Sequence, residues 1–152
     1  CMLASSGPAV VLGQRASADG LAEPIAPGRH ALFGPRGAIM HPVTGTVAVA
    51  DTGHHRLMIW RQRPRQDHAT ANLQIGQPDF ESEGRNGKGP VDGATFNVPT
   101  GLATNGRALV VADAWNHRVL VWKDWPTVSK QPADVVLGQR DFAGHEANRG
   151  GA

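Results

Sequence analysis

Apolar residues fall into short alternating runs, as in Thr-Val-Ala-Val-Ala (46–50), Arg-Leu-Met-Ile-Trp (56–60), Ala-Leu-Val-Val-Ala (108–112) and Arg-Val-Leu-Val-Trp-Lys (118–123). Alternation with a period of two, rich in Val, Leu and Ile, reads as half-buried β-strands. Gly, Pro, Asp and Asn interrupt the runs at Pro42, Gly45, Asp51, Gly53, Asp113 and Asn116, where tight turns are expected. The 11 prolines argue against long helices.

The runs repeat. Ala50 to Trp60 reads ADTGHHRLMIW and Ala112 to Trp122 reads ADAWNHRVLVW, so that Asp51 and Asp113, and Trp60 and Trp122, stand 62 residues apart. Gly76-Gln77 recurs at the same spacing as Gly138-Gln139, and Asp79-Phe80 as Asp141-Phe142. A further copy of the closing element appears early, as Val11-Leu12-Gly13-Gln14. Four strands are expected per period, at residues 35–40, 46–50, 56–60 and 72–76 and again at 101–104, 108–112, 118–123 and 134–138. An early strand at residues 9–13 would be surplus to two sets of four. Four antiparallel strands per repeat, with turn residues at fixed places, describe a β-propeller blade. The fold class expected is therefore all-β: two full blades plus an extra strand. A blade cannot bury both its faces alone, and Val47, Val49, Val110 and Ala112 are expected between neighbouring sheets.

The two eleven-residue phrases resemble the core of the NHL repeat, in which a strand ends in Ala-Asp, a turn carries Asn-His-Arg and the next strand begins at the Arg. Pro35-Arg36-Gly37 and Pro99-Thr100-Gly101 resemble its N-terminal half, and residues 134–142 (DVVLGQRDF) look like the LGQ-x-DF segment of a bacterial NHL subgroup with long blades. His54 stands where that pattern has Asn. The resemblance spans about residues 9–148 and implies a propeller ring, six blades being favoured in the family. The expected organisation is a tail at 1–8, a strand at 9–14, blades at 30–78 and 94–140 within a unit at 9–142, and a tail at 143–152. A ring needs further blades, from other copies of the chain, with a trimer giving six, or from another polypeptide.

Charge narrows the function only slightly, since 15 Lys and Arg oppose 13 Asp and Glu for a net +2. Nucleic acid is not strongly indicated, and RNA is disfavoured as a partner. No apolar run reaches the length of a membrane span. Cys1 is the one cysteine, which excludes an internal disulfide and a thiolate zinc cluster. Its position fits a lipidated N-terminus after signal removal, as in bacterial lipoproteins, and equally a trimmed or proteolysed end. Periplasmic, envelope-attached or secreted placement is favoured over cytoplasmic.

Candidate chemistry is sparse. Asp51, His54, His55 and Arg56 in the first repeat and Asp113, Asn116, His117 and Arg118 in the second are expected to build the blade turns, because an active site is made once and these are made twice. His41 is a weak metal candidate and no cofactor is expected, since the seven histidines lack ligand spacing. Arg61, Arg63 and Arg65 on one loop, with Trp115 and Trp125, form a candidate partner surface for protein or glycan. The glycine-rich loop 77–98 is expected to be structural at its Asp-Phe start and free beyond it. The function expected is a non-catalytic binding and assembly module. The alternative is a subunit or fragment of a propeller enzyme, its blades surrounding a metal or active site that other chains complete.

Overall fold

A computed structural model describes residues 10–14 and 26–150; expectations for Cys1, the N-terminal tail and residue 9 lie outside them. Eight strands form two separate antiparallel meanders. Blade 1 comprises β1 (Gly37–Met40), β2 (Val47–Asp51), β3 (Arg56–Trp60) and β4 (Leu73–Ile75). Blade 2 comprises β5 (Pro99–Thr104), β6 (Leu109–Asp113), β7 (Arg118–Trp122) and β8 (Val135–Leu137). Each strand lies within two residues of its expected place. Equivalent strands share register, with Val47 opposite Trp60 in one sheet and Leu109 opposite Trp122 in the other. Among the described residues no helix is long and apolar enough to cross a membrane.

The early strand does not form a ladder: residues 10–14 have no strand assignment, although they pack on blade 1. Val11 N–H donates to Asp67 Oδ1 at 2.8 Å, and the Val11 carbonyl accepts from His68 N–H at 2.7 Å. A single strand with no partner strand beside it cannot satisfy a β-ladder.

The main core is the seam between the blades. Ala48, Leu57, Ile59, Leu73 and Ile75 of blade 1 meet Leu109, Val111, Leu120 and Trp122 of blade 2, with Phe96 of loop 77–98 among them. The residues expected between neighbouring sheets are not in this seam but on the two outer faces. Val47 and Val49 lie on the back of blade 1, with Met58 and Trp60. Val110 and Ala112 are half-buried on the far side of blade 2, because side chains one residue apart in a strand point to opposite faces.

Loop 77–98 is a strap along its length, not a free projection. Asn86 N–H donates to the Phe96 carbonyl at 2.8 Å, and the Gly93 carbonyl accepts from Ala133 N–H at 2.8 Å. Gly76 also bridges to Thr95.

Candidate functional site

Both recurring turns close in the same way. In blade 1, Asp51 ends β2, a 3-10 turn spans Thr52–His54, and Arg56 opens β3. Asp51 Oδ2 accepts from His54 Nδ1 and from Arg56 Nε, each at 2.8 Å, while its Oδ1 accepts from Phe33 N–H at 2.6 Å. The Arg56 guanidinium continues to the carbonyls of Phe80 at 2.6 Å and of Gly28 and Ala31 at 3.0 Å. In blade 2, Asp113 Oδ2 accepts from Asn116 Nδ2 and Arg118 Nε at 2.8 Å, and Oδ1 accepts from Asn97 N–H at 2.7 Å. Arg118 donates onward to the carbonyls of Phe142, Asp92 (2.8 Å) and Thr95 (2.9 Å).

Both Asp–Arg pairs are fully buried. Burial pushes the Asp113 carboxyl above the usual carboxylate range, opposed by hydrogen bonds from Asn97 N–H, Asn116 and Arg118. A buried charge is tolerable when its hydrogen bonds are satisfied, and here the Asp–Arg clusters fasten the strand-to-strand turn to segments 16 to 28 residues away.

The left-handed residue of each turn is the histidine, with φ 54° at His55 and 51° at His117, not the neighbouring Gly53 or Asn116. Gly53 serves a close approach instead: a Cβ there would lie 2.7 Å from the Phe33 carbonyl oxygen. His55 Nδ1 accepts from Val98 N–H at 3.0 Å, which ties the blade 1 turn to blade 2. That bond requires an unprotonated Nδ1, and burial, then the Arg85 charge, holds the His55 pKa below its ordinary value.

Within the turn cluster the copies diverge at the residue that accompanies the Asp–Arg pair, His54 in one and Asn116 in the other. Asn116 exchanges hydrogen bonds with Asn86 of the strap, at 2.8 and 3.5 Å. His54, its counterpart, sets Nε2 3.8 Å from Glu83 Oε2 and its ring 5.6 Å from that of Phe33. Two participants carried a recurrence signal without being assigned a role. Gln77 Nε2 donates to the His54, His55 and Gly84 carbonyls, and Gln139 Nε2 to those of Asn116, His117 and Glu146. The carbonyls of Phe80 and Phe142 receive the arginines. The LGQ-x-DF phrase thus closes the turn made by the phrase before it.

The candidate partner residues separate. Arg61 and Trp125 line one cleft of about 340 Å³ with His41, Thr44, Thr46 and Thr127, and Arg61 Nη2 donates to the Thr127 carbonyl at 2.9 Å. Arg63 and Arg65 are exposed on the following loop. Trp115 lies on the β6–β7 turn, at the opposite end of the sheets, beneath the Arg85 guanidinium at 5.3 Å. His41 caps its own turn, Nδ1 accepting from Val43 and Thr44 N–H at 3.1 and 3.2 Å, with its ring edge-on to Trp125. Among the described residues no three His, Cys, Asp or Glu side chains gather as a metal-binding group.

Among the described residues, blade 2 presents a sheet face that no other element covers. Val110, Ala112, Val119, Val121 and Val135 are half-buried, and Leu137 is 54% exposed. One repeat earlier stand Ala48, Ala50, Leu57, Ile59, Leu73 and Ile75, none more than 5% exposed, because blade 2 covers them.

Two four-stranded meanders packed face to face, each stapled by a buried Asp–Arg turn, are blades of an incomplete β-propeller. Residues 96–122 match the NHL repeat model. A stretch of 78 residues, 51% of this chain, is 37% identical to human NHL repeat-containing protein 2, of which it covers 9%. Residues 96–122 thus carry an NHL repeat, and about half of the chain is similar to an NHL repeat-containing protein.

Proposed function

We propose that the chain is a non-catalytic docking and assembly module whose working surface is the open face of blade 2. The observation that carries this is the contrast between copies: the six positions are buried in blade 1 by a neighbouring blade and uncovered in blade 2. A contiguous apolar sheet face of this kind favours association, since covering it removes apolar area from water. The partner that fits is another blade, presented by a further copy or by a different polypeptide. The buried polar turns support a structural role, because their carboxylates are consumed by strand-to-strand hydrogen bonds and recur unchanged in design. Arg61 and Trp125 in the cleft at one rim, and Trp115 at the other, are proposed as accessory contacts.

Light scattering on the purified chain and on Leu137→Asp tests the proposal. The wild-type mass should rise above 16.1 kDa with concentration, and the variant, with a charge on the face, should remain at 16.1 kDa. Equal masses for the two at every concentration would overturn self-assembly through this face.

A further inference from the structure

The rim that bears the β1–β2 turn, the loop after β3 and the loop after β7 holds a cleft of about 340 Å³ between the blades. Its walls are tied together. Arg61 Nη2 donates across the blades to the Thr127 carbonyl at 2.9 Å, and Thr46 Oγ1 donates to the Arg61 carbonyl at 3.0 Å. His41 Nδ1 accepts from the N–H groups of Val43 and Thr44, which places the hydrogen of the neutral ring on Nε2. The cleft is thus lined by two donors, the Arg61 guanidinium and the His41 ring, and by no carboxylate.

This rim differs in charge from its copy one repeat later. There Arg107 and Asp124 form a surface pair at 2.8 Å, and the positions 62 residues before them are Gly45 and Gln62. Blade 2 carries its own counter-ion, whereas Arg61, Arg63 and Arg65 pair with no carboxylate among the described residues. Arg63 also packs beside the turn that walls the cleft, since a Cβ on Gly45 would lie 3.5 Å from the Arg63 Cβ. Three uncompensated guanidiniums on an exposed edge attract an anion. The half-buried Trp125 indole packs against the blade seam and the His41 ring, at 5.4 Å between centroids. It presents an apolar margin, not the open stacking face that a nucleobase requires.

Resting on the docking function above, we infer that this cleft seats an acidic peptide segment of a partner protein. One carboxylate pairs with Arg61, an aliphatic side chain beside it lies against Trp125, and further carboxylates meet Arg63 and Arg65 on the adjoining loop.

The probe is a capped hexapeptide of alternating glutamate and leucine, titrated into the isotopically labelled chain. NMR would follow the Arg61 Nε–H, the Trp125 indole N–H and the amides of Thr44 and Thr127, and all four should shift together. The same peptide with glutamine in place of glutamate should bind more weakly by about fivefold or more, and so should the original peptide to Arg61→Gln. Arg140→Gln, which removes an exposed arginine beyond the end of β8, should bind as the wild type does. Equal affinity for the glutamate and glutamine peptides, or for Arg61→Gln and wild type, would overturn the inference, as would no response at the four groups. A uridylate hexamer that shifts the same groups with equal or higher affinity would also overturn it. Leu137→Asp separates this site from the blade 2 face and should take up the peptide unchanged. Peptide shifts confined to Val121 and Leu137 would overturn the rim site and leave docking at the blade 2 face standing. Binding at the rim by a chain whose mass never rises above 16.1 kDa would sustain the inference and overturn only self-assembly through that face.

Discussion

Replacing Arg118 by Met tests whether the buried turn cluster holds the blades together. The substitution keeps the aliphatic stem and removes the guanidinium, leaving Asp113 Oδ2 with Asn116 alone and depriving the carbonyls of Phe142, Asp92 and Thr95 of their donor. Stripping one partner from a fully buried pair costs about 3–5 kcal/mol. Against a total stability of about 5–15 kcal/mol and a urea slope of about 2 kcal/mol per molar, the unfolding midpoint should fall by about 1.5–2.5 M. Tryptophan fluorescence reports it, because Trp60 and Trp122 are buried. The control is Arg107→Met, which breaks a pair with Asp124 of the same 2.8 Å length on the surface and should leave the midpoint unchanged. The loss at Arg118 should also shrink from pH 7 to pH 5. Without its counter-ion the buried Asp113 carboxyl, already raised by burial, takes up a proton in the folded state that the unfolded state, at 3.8, does not. Its neutral form is then the stabilising one as pH falls. Equal midpoints for the two variants, or a gap independent of pH, would refute the reasoning.

His55 should make stability pH-dependent in the other sense. Its folded pKa lies below 6.5, so the unfolded chain binds more protons between the two values and stability should fall as pH drops below 6.5. Urea midpoints from pH 7.5 to 5 should show this decline, and His55→Asn, which keeps a residue tolerant of left-handed φ, should flatten it. Gly76→Ala should destabilise by about 2 kcal/mol or more, since its φ is 115° and a Cβ would meet the His55 carbonyl oxygen at 2.6 Å. Gly89→Ala, whose Cβ meets nothing nearer than 3.7 Å, should cost little on the same melting curve.

Much of the blade was legible because each strand is a local pattern bounded by turn chemistry, and the pattern was present twice. Strand ends at Asp51, Arg56, Asp113 and Arg118 coincide with side chains that form the turn itself, which fixed them tightly. The faces were less legible. Val47 and Ala48 are both apolar, so a run such as Val-Ala-Val-Ala reads as buried on either phase, and only packing decides which side meets the neighbour. The early segment at residues 10–14 carries a strand sequence yet forms no strand, because pairing is a property of two segments and the sequence of one cannot supply the other. Loop 77–98 looked free because its ties to Ala133 and Arg118 run through backbone carbonyls, which no side-chain pattern records.

The same repetition separates architecture from what is particular to each copy. Asp, Arg and the closing Gln keep equivalent partners in both blades, so substitutions there should lower stability before they touch any partner. What changes across one repeat is displayed elsewhere: buried His54 becomes Asn116, Gly53 becomes the exposed Trp115, and Arg61 becomes Lys123. None of these differences is required by the sheets, whose registers match. The rims and the uncovered face are where the copies differ in side chain or in neighbour. On the docking function proposed above, a partner would read the module through these positions, which the fold leaves free to vary.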